Sequence, residues 1–175
     1  MAAILDRPPI TSQPQMRFVI YAIIALIVTV FSVVFLQFIS VGGVGPDLLL
    51  ILCVWVTLSE GQYAGMLFGF GVGLIFDITS PDVLGSNALA KTIASFIAGY
   101  FYSELRMSKN LSTVRFLSII ALSAFVHNLI YFFLYIQPTD ISFVSFFVKN
   151  GVASTLYTTV LAIAPMLWRS RSMER

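Results

Sequence analysis

The uncharged stretch from Phe18 to Leu36 decides what this chain can fold into. It runs 19 residues without Asp, Glu, Lys or Arg. A helix of that length reaches across most of the ~30 Å hydrocarbon core of a bilayer. It is longer than the apolar region of a secretion signal, and no small-residue cleavage site follows it. Further apolar runs cover Leu48 to Leu58, Tyr63 to Phe76, Ser86 to Tyr102, Val114 to Ile136 and Ile141 to Trp168. Charged residues make up only 10% of the 175, against ~25% in soluble domains. The reading is an all-α polytopic membrane protein with about six transmembrane helices. A tail at 1–17, a single six-helix domain at 18–168 and a basic tail at 169–175 complete it. No length remains for a soluble nucleotide-binding domain. Membrane lipid is the expected surrounding, and no nucleic-acid partner is expected.

Chain breakers divide the runs. Pro8, Pro9 and Pro14 argue against regular helix in the first tail. Pro46 suits the first turn of a second helix. Residues 46–76 are too long for one helix and carry Glu60 near the middle. Two spans joined by a tight turn at Ser59–Gln62 are expected, with one broken re-entrant element as the alternative. Asp77 to Gly85 has the turn residues of a loop, and no role is attached to its Pro81-Asp82 pair. Gln137 to Asp140 breaks the chain again. The last run reads as one long helix interrupted or tilted near Lys149-Asn150-Gly151.

Cationic residues concentrate in short cytoplasmic segments. With the N-terminus inside and six spans, the inner segments hold Arg7, Arg17, Arg106, Lys109, Arg115, Arg169, Arg171 and Arg175. The outer loops, 37–46, 77–85 and 137–142, hold no Lys or Arg. Both termini are therefore expected to be cytoplasmic. Trp168, Tyr100, Tyr102, Tyr131 and Tyr135 lie near span ends and suit interfacial anchoring.

Gly61, Gly65, Gly69 and Gly73 recur every four residues, with Asp77 as the next step. Four residues turn a helix by about 400°, so the stripe drifts around the axis. Small residues at this spacing let a neighbouring backbone approach. The stripe suits internal packing or a partner's helix, and lacks the lysine of a phosphate-binding loop. Lys91 lies about one turn inside span four, and Asn87 shares its face. A charge at membrane depth faces protein or water, so Asp77 and Lys91 are expected to meet across the 77–85 loop, joined by Asn87. Outward snorkelling of Lys91 is the plainer alternative. His127 and Asn128 sit in mid-span and suit interhelical hydrogen bonding; no acidic partner for a proton relay is evident. Cys53 alone excludes an intrachain disulfide. One histidine and no spacing that marks an activated nucleophile leave no catalytic, cofactor-binding or metal residue to name.

The segment from Pro46 to Tyr102 resembles the core of the bacterial rod shape-determining protein MreD family. The Pro46-Asp47 opening, the glycine-rich third span ending at Asp77, and Leu84-Gly85-Ser86-Asn87-Ala88-Leu89 at the start of span four carry the likeness. The resemblance implies a non-enzymatic inner-membrane component of the cell-elongation machinery. It implies an architecture similar to the membrane substrate-binding subunits of energy-coupling-factor vitamin transporters. It also implies association with MreC, and through it links to the MreB filament, the RodA glycosyltransferase and a class B penicillin-binding protein. Two other functions compete. A vitamin-like uptake subunit would turn Asp47, Asp77, Asn87 and Lys91 toward an outer ligand cavity. A membrane enzyme acting on an envelope precursor would depend on Asp77 or His127.

Overall fold

The computed structural model describes residues 14–40, 44–80, 83–103, 110–111, 113–136 and 142–173. Arg7, Pro8, Pro9, Pro81, Asp82, Arg106, Lys109, Arg175 and the Gln137–Asp140 break lie outside them. Regular structure among the described residues is helical. In chain order the elements are α1 (Pro14–Ile39), α2 (Leu48–Glu60), α3 (Gln62–Thr79), α4 (Ser86–Gly99), α5 (Val114–Ile136) and α6 (Phe143–Phe146). A π-helical turn, Phe147–Gly151, then leads into α7 (Val152–Leu161) and α8 (Ile163–Met173).

Helix α1 starts four residues earlier than the tail reading, with Pro14 at its first position. Proline lacks only an N–H that the first turn would leave unbonded anyway. The turn between α2 and α3 is a single residue, Gly61, so these are two packed helices and not one broken element. Gly61 adopts φ 100°, which a side chain would strain, and its N–H donates to Thr57 O at 3.0 Å. Pro46 lies two residues ahead of α2, in front of the N-cap Asp47, and not in the first turn. Near Lys149-Asn150-Gly151 the helix widens into the π turn without breaking.

Four stretches are long and apolar enough to cross a membrane: Met16–Phe35, Gln62–Thr79, Val114–Ile136 and Phe143–Arg169. The protein is an all-α polytopic membrane protein. Helix α2 is apolar but shorter. Helix α4 is only 14 residues long and rich in Ala and Ser. The packing explains both. Helix α4 lies against α2, α3 and α5, and Ala88, Ala90, Lys91, Ala94, Ser95 and Ala98 are all buried. Helix α2 buries Leu49, Leu50, Cys53, Val54, Val56 and Leu58. These inner helices meet mostly protein, so small residues matter more to them than bulk apolarity. Helix α1 shows the opposite pattern. It contacts α2 and α3 from one side and leaves Val19, Ile23, Ile27 and Val30 more than half exposed. Lipid is the natural solvent for that face.

Candidate functional site

Polar residues from four separate helical regions meet in one buried node, and Asp47 begins it. As N-cap of α2, its Oδ1 accepts a hydrogen bond from Leu50 N–H at 2.9 Å. That satisfies one of the N–H groups a helix start leaves open. Its own N–H donates to Thr158 Oγ1 on α7 at 2.9 Å. Its Oδ2 lies 2.6 Å from Lys91 Nζ on α4 and 3.5 Å from His127 Nε2 on α5. One residue ahead of α2 thus connects α2, α4, α5 and α7.

Lys91 is 1% exposed. Its ammonium carries three N–H donors. They meet Asp47 Oδ2, Asn87 Oδ1 at 3.1 Å and His127 Nε2 at 3.3 Å. The Phe76 ring stands 5.5 Å away and adds a cation–π contact. Because the ammonium can only donate, His127 Nε2 accepts, which assigns the ring proton to Nδ1. Nδ1–H then faces Asn128 Oδ1 at 3.4 Å. Asn128 Nδ2 is left to donate to Gly151 O at 3.2 Å and Thr155 Oγ1 at 2.9 Å. The chain of bonds therefore runs from the start of α2 to the π turn. Asn87 Nδ2 is buried without a hydrogen-bond partner among the described residues.

This arrangement corrects the pairing expected from sequence. Lys91 meets Asp47, not Asp77, and it does not snorkel outward. Asp77, in the last turn of α3, is committed elsewhere. Its Oδ2 accepts from Gly85 N–H and Ala88 N–H, both at 3.0 Å, and its Oδ1 accepts from Asn87 N–H at 3.1 Å. The first turn of α4 offers unbonded N–H groups and the positive end of the helix dipole, and the carboxylate satisfies both. Lys91 lies a turn deeper, where Asp47 reaches it. His127 also has an acidic neighbour after all, the same Asp47. Asn87 reaches both groups, through its backbone to Asp77 and its side chain to Lys91. The signal for Asp47 was its place directly before an apolar helix; nothing local tied it to Lys91, 44 residues later.

The glycine stripe is consumed inside the protein. Gly65 lies against Thr57 of α2. Gly69 and Gly73 lie against α4, where a Cβ on Gly69 would stand 3.0 Å from Lys91 O and one on Gly73 would stand 2.5 Å from Ala88 Cα. The expected drift of the stripe is what divides it between two neighbours. Gly85 has φ 93° just ahead of α4 and frees the chain to turn back under Asp77.

The node's chemistry is that of a lock. Every donor of Lys91 is used, and His127 is 3% exposed. Among the described residues, no three His, Cys, Asp or Glu side chains gather as a metal site. Much of what the helices turn outward is apolar. One groove of about 250 Å³ runs between α1 and α3, with Ala22, Ala25 and Gly71 among its lining residues. Gly71 is unlike its neighbours in the stripe, because a Cβ there would meet nothing within 4 Å. No curated protein and no solved structure matches this chain. Residues 12–170 match the family model described as rod shape-determining protein MreD, and the chain belongs to that family.

Proposed function

We propose that the protein is a non-enzymatic membrane scaffold of the cell-elongation complex, which binds MreC and supports peptidoglycan synthesis and rod shape. MreB, RodA and the class B penicillin-binding protein are then linked to it indirectly. Family membership over residues 12–170 is the observation that carries this reading. The direction in which the polar groups point supports it: they are spent on one another, and the apolar faces remain for partners. The α1–α3 groove, where Ala22, Ala25 and Gly71 leave room between bulkier apolar residues, suits the approach of another helix.

The same proposal includes six spans in the bacterial inner membrane, similar in arrangement to the membrane subunits of energy-coupling-factor transporters, with both termini cytoplasmic. Short α2 and α4 count as spans because protein surrounds them. Arg17 lies 3.7 Å from Glu60 and lines the same pocket as Arg169. The start of α1, the end of α2 and α8 thus share one end of the bundle, which supports termini on the same side. The vitamin-uptake reading asks Lys91 and Asp47 to face a ligand, whereas their hydrogen bonds are directed inward. Co-purification and in-membrane crosslinking with MreC test the scaffold. Recovery of MreC is expected; failure of both methods in the native membrane overturns the reading.

A further inference from the structure

At the arginine-bearing end of the bundle, two cavities share a wall. The first, about 280 Å³, is polar and is lined by Arg17, Tyr21, Trp55, Ser59, Glu60 and Arg169. The second, about 600 Å³, is an apolar groove between α1, α2 and α8, with Ile24, Val28, Ile51, Leu52 and Pro165 in its walls. Tyr21, Trp55 and Arg169 line both, so the polar pocket opens onto the groove.

The charges in the polar pocket are unequal. Glu60 is engaged: Tyr21 Oη donates to its Oε1 at 3.0 Å, and Arg17 lies 3.7 Å from the same oxygen. Arg169 forms no ion pair among the described residues, and its Nε is buried without a hydrogen-bond partner. Arg169 lines both cavities, and a guanidinium without an ion pair offers planar donors that suit a phosphate. The adjoining groove suits hydrocarbon. Its volume is roughly that of one and a half helical turns taken as a 10 Å cylinder. A partner helix needs about 20 residues to cross the bilayer. The slimmer, flexible acyl chain is the occupant that matches both length and chemistry.

We propose that this composite cavity binds an anionic phospholipid, with its phosphate at Arg169 and an acyl chain in the groove between α1, α2 and α8. Glu60 is paired with Arg17 and hydrogen-bonded by Tyr21, which leaves Arg169 as the cation available to the phosphate. The site is independent of which protein the scaffold holds.

The test uses the full chain, purified in detergent and offered phosphatidylglycerol, phosphatidylcholine or inorganic phosphate, with retained lipid read by native mass spectrometry. Preferential retention of phosphatidylglycerol is expected. Arg169→Gln should cut that preference about fivefold, the equivalent of ~1 kcal/mol for one cation near a membrane surface. Arg115→Gln removes the same charge from an exposed position outside both cavities and should leave the preference intact. Ala164→Trp places bulk in the groove from an exposed position and should reduce retention even if Arg169→Gln fails to fold. Equal retention of the two lipids, equal losses from Arg115→Gln and Arg169→Gln, or undiminished retention by Ala164→Trp would overturn the proposal. So would retention of inorganic phosphate equal to that of lipid, or a crosslinker at Trp55 that captures a protein helix in native membranes.

Discussion

Replacing Lys91 by Met tests the node most sharply, because it removes one charge and strands three acceptors. Asp47 Oδ2, Asn87 Oδ1 and His127 Nε2 all lose the donor that now meets them. Removing one partner of a buried ion pair costs about 3–5 kcal/mol, since the remaining charge stays in a medium that solvates it poorly. Asp47→Asn makes the matching change. It removes the charge but keeps a good N-cap for Leu50 N–H, so the cap's ~1 kcal/mol is preserved. If Asp47 and Lys91 form the pair, the double variant should cost about as much as one single change. Independent sites would instead give the sum, about 6–10 kcal/mol. Asp77→Asn combined with Lys91→Met is the control, and there the two losses should approach additivity. The assay is unfolding in mixed detergent micelles followed by fluorescence of Trp55 and Trp168. Additive losses for Asp47 with Lys91, or strong coupling of Asp77 with Lys91, would refute the assignment of the pair.

Other expectations follow from neighbouring contacts. Asp77→Ala leaves Gly85, Asn87 and Ala88 N–H without their acceptor; a loss of about 1–3 kcal/mol is expected, read as a lower melting temperature. Gly73→Ala drives a Cβ to 2.5 Å from the Ala88 backbone and should cost at least about 1–3 kcal/mol, whereas Gly71→Ala should melt close to the parent. Gly71→Leu fills the α1–α3 groove and should lower MreC recovery with little change in melting; unchanged recovery would remove that groove as the docking face. Asn128→Leu strips both donors from Gly151 O and Thr155 Oγ1. Faster hydrogen exchange at the π turn is the expected readout.

The sequence by itself determined the membrane class, because apolar runs and scarce charges report directly on the solvent a chain must face. It located the α2–α3 turn within Ser59–Gln62 and the irregularity near Lys149-Asn150-Gly151, since both are local backbone events; the structure narrowed the first to Gly61. It also singled out Asn87, Lys91, His127 and Asn128, because each is a polar group inside an apolar segment, and Asp47 through the resemblance carried by the Pro46-Asp47 opening. It did not reveal who bonds to whom. Asp77 was the natural partner for Lys91 by proximity in the chain, and the unbonded N–H groups of α4 claimed it first. Only the tertiary structure brought Asp47 across to Lys91 and His127. It alone showed that Gly65 packs on α2 while Gly69 and Gly73 pack on α4, with Gly71 left open. Local signals fix where a polar or small residue lies along its own helix. Which neighbour fills that position depends on how helices distant in sequence stack, and hydrogen-bond competition inside a poorly solvating interior settles the pairing.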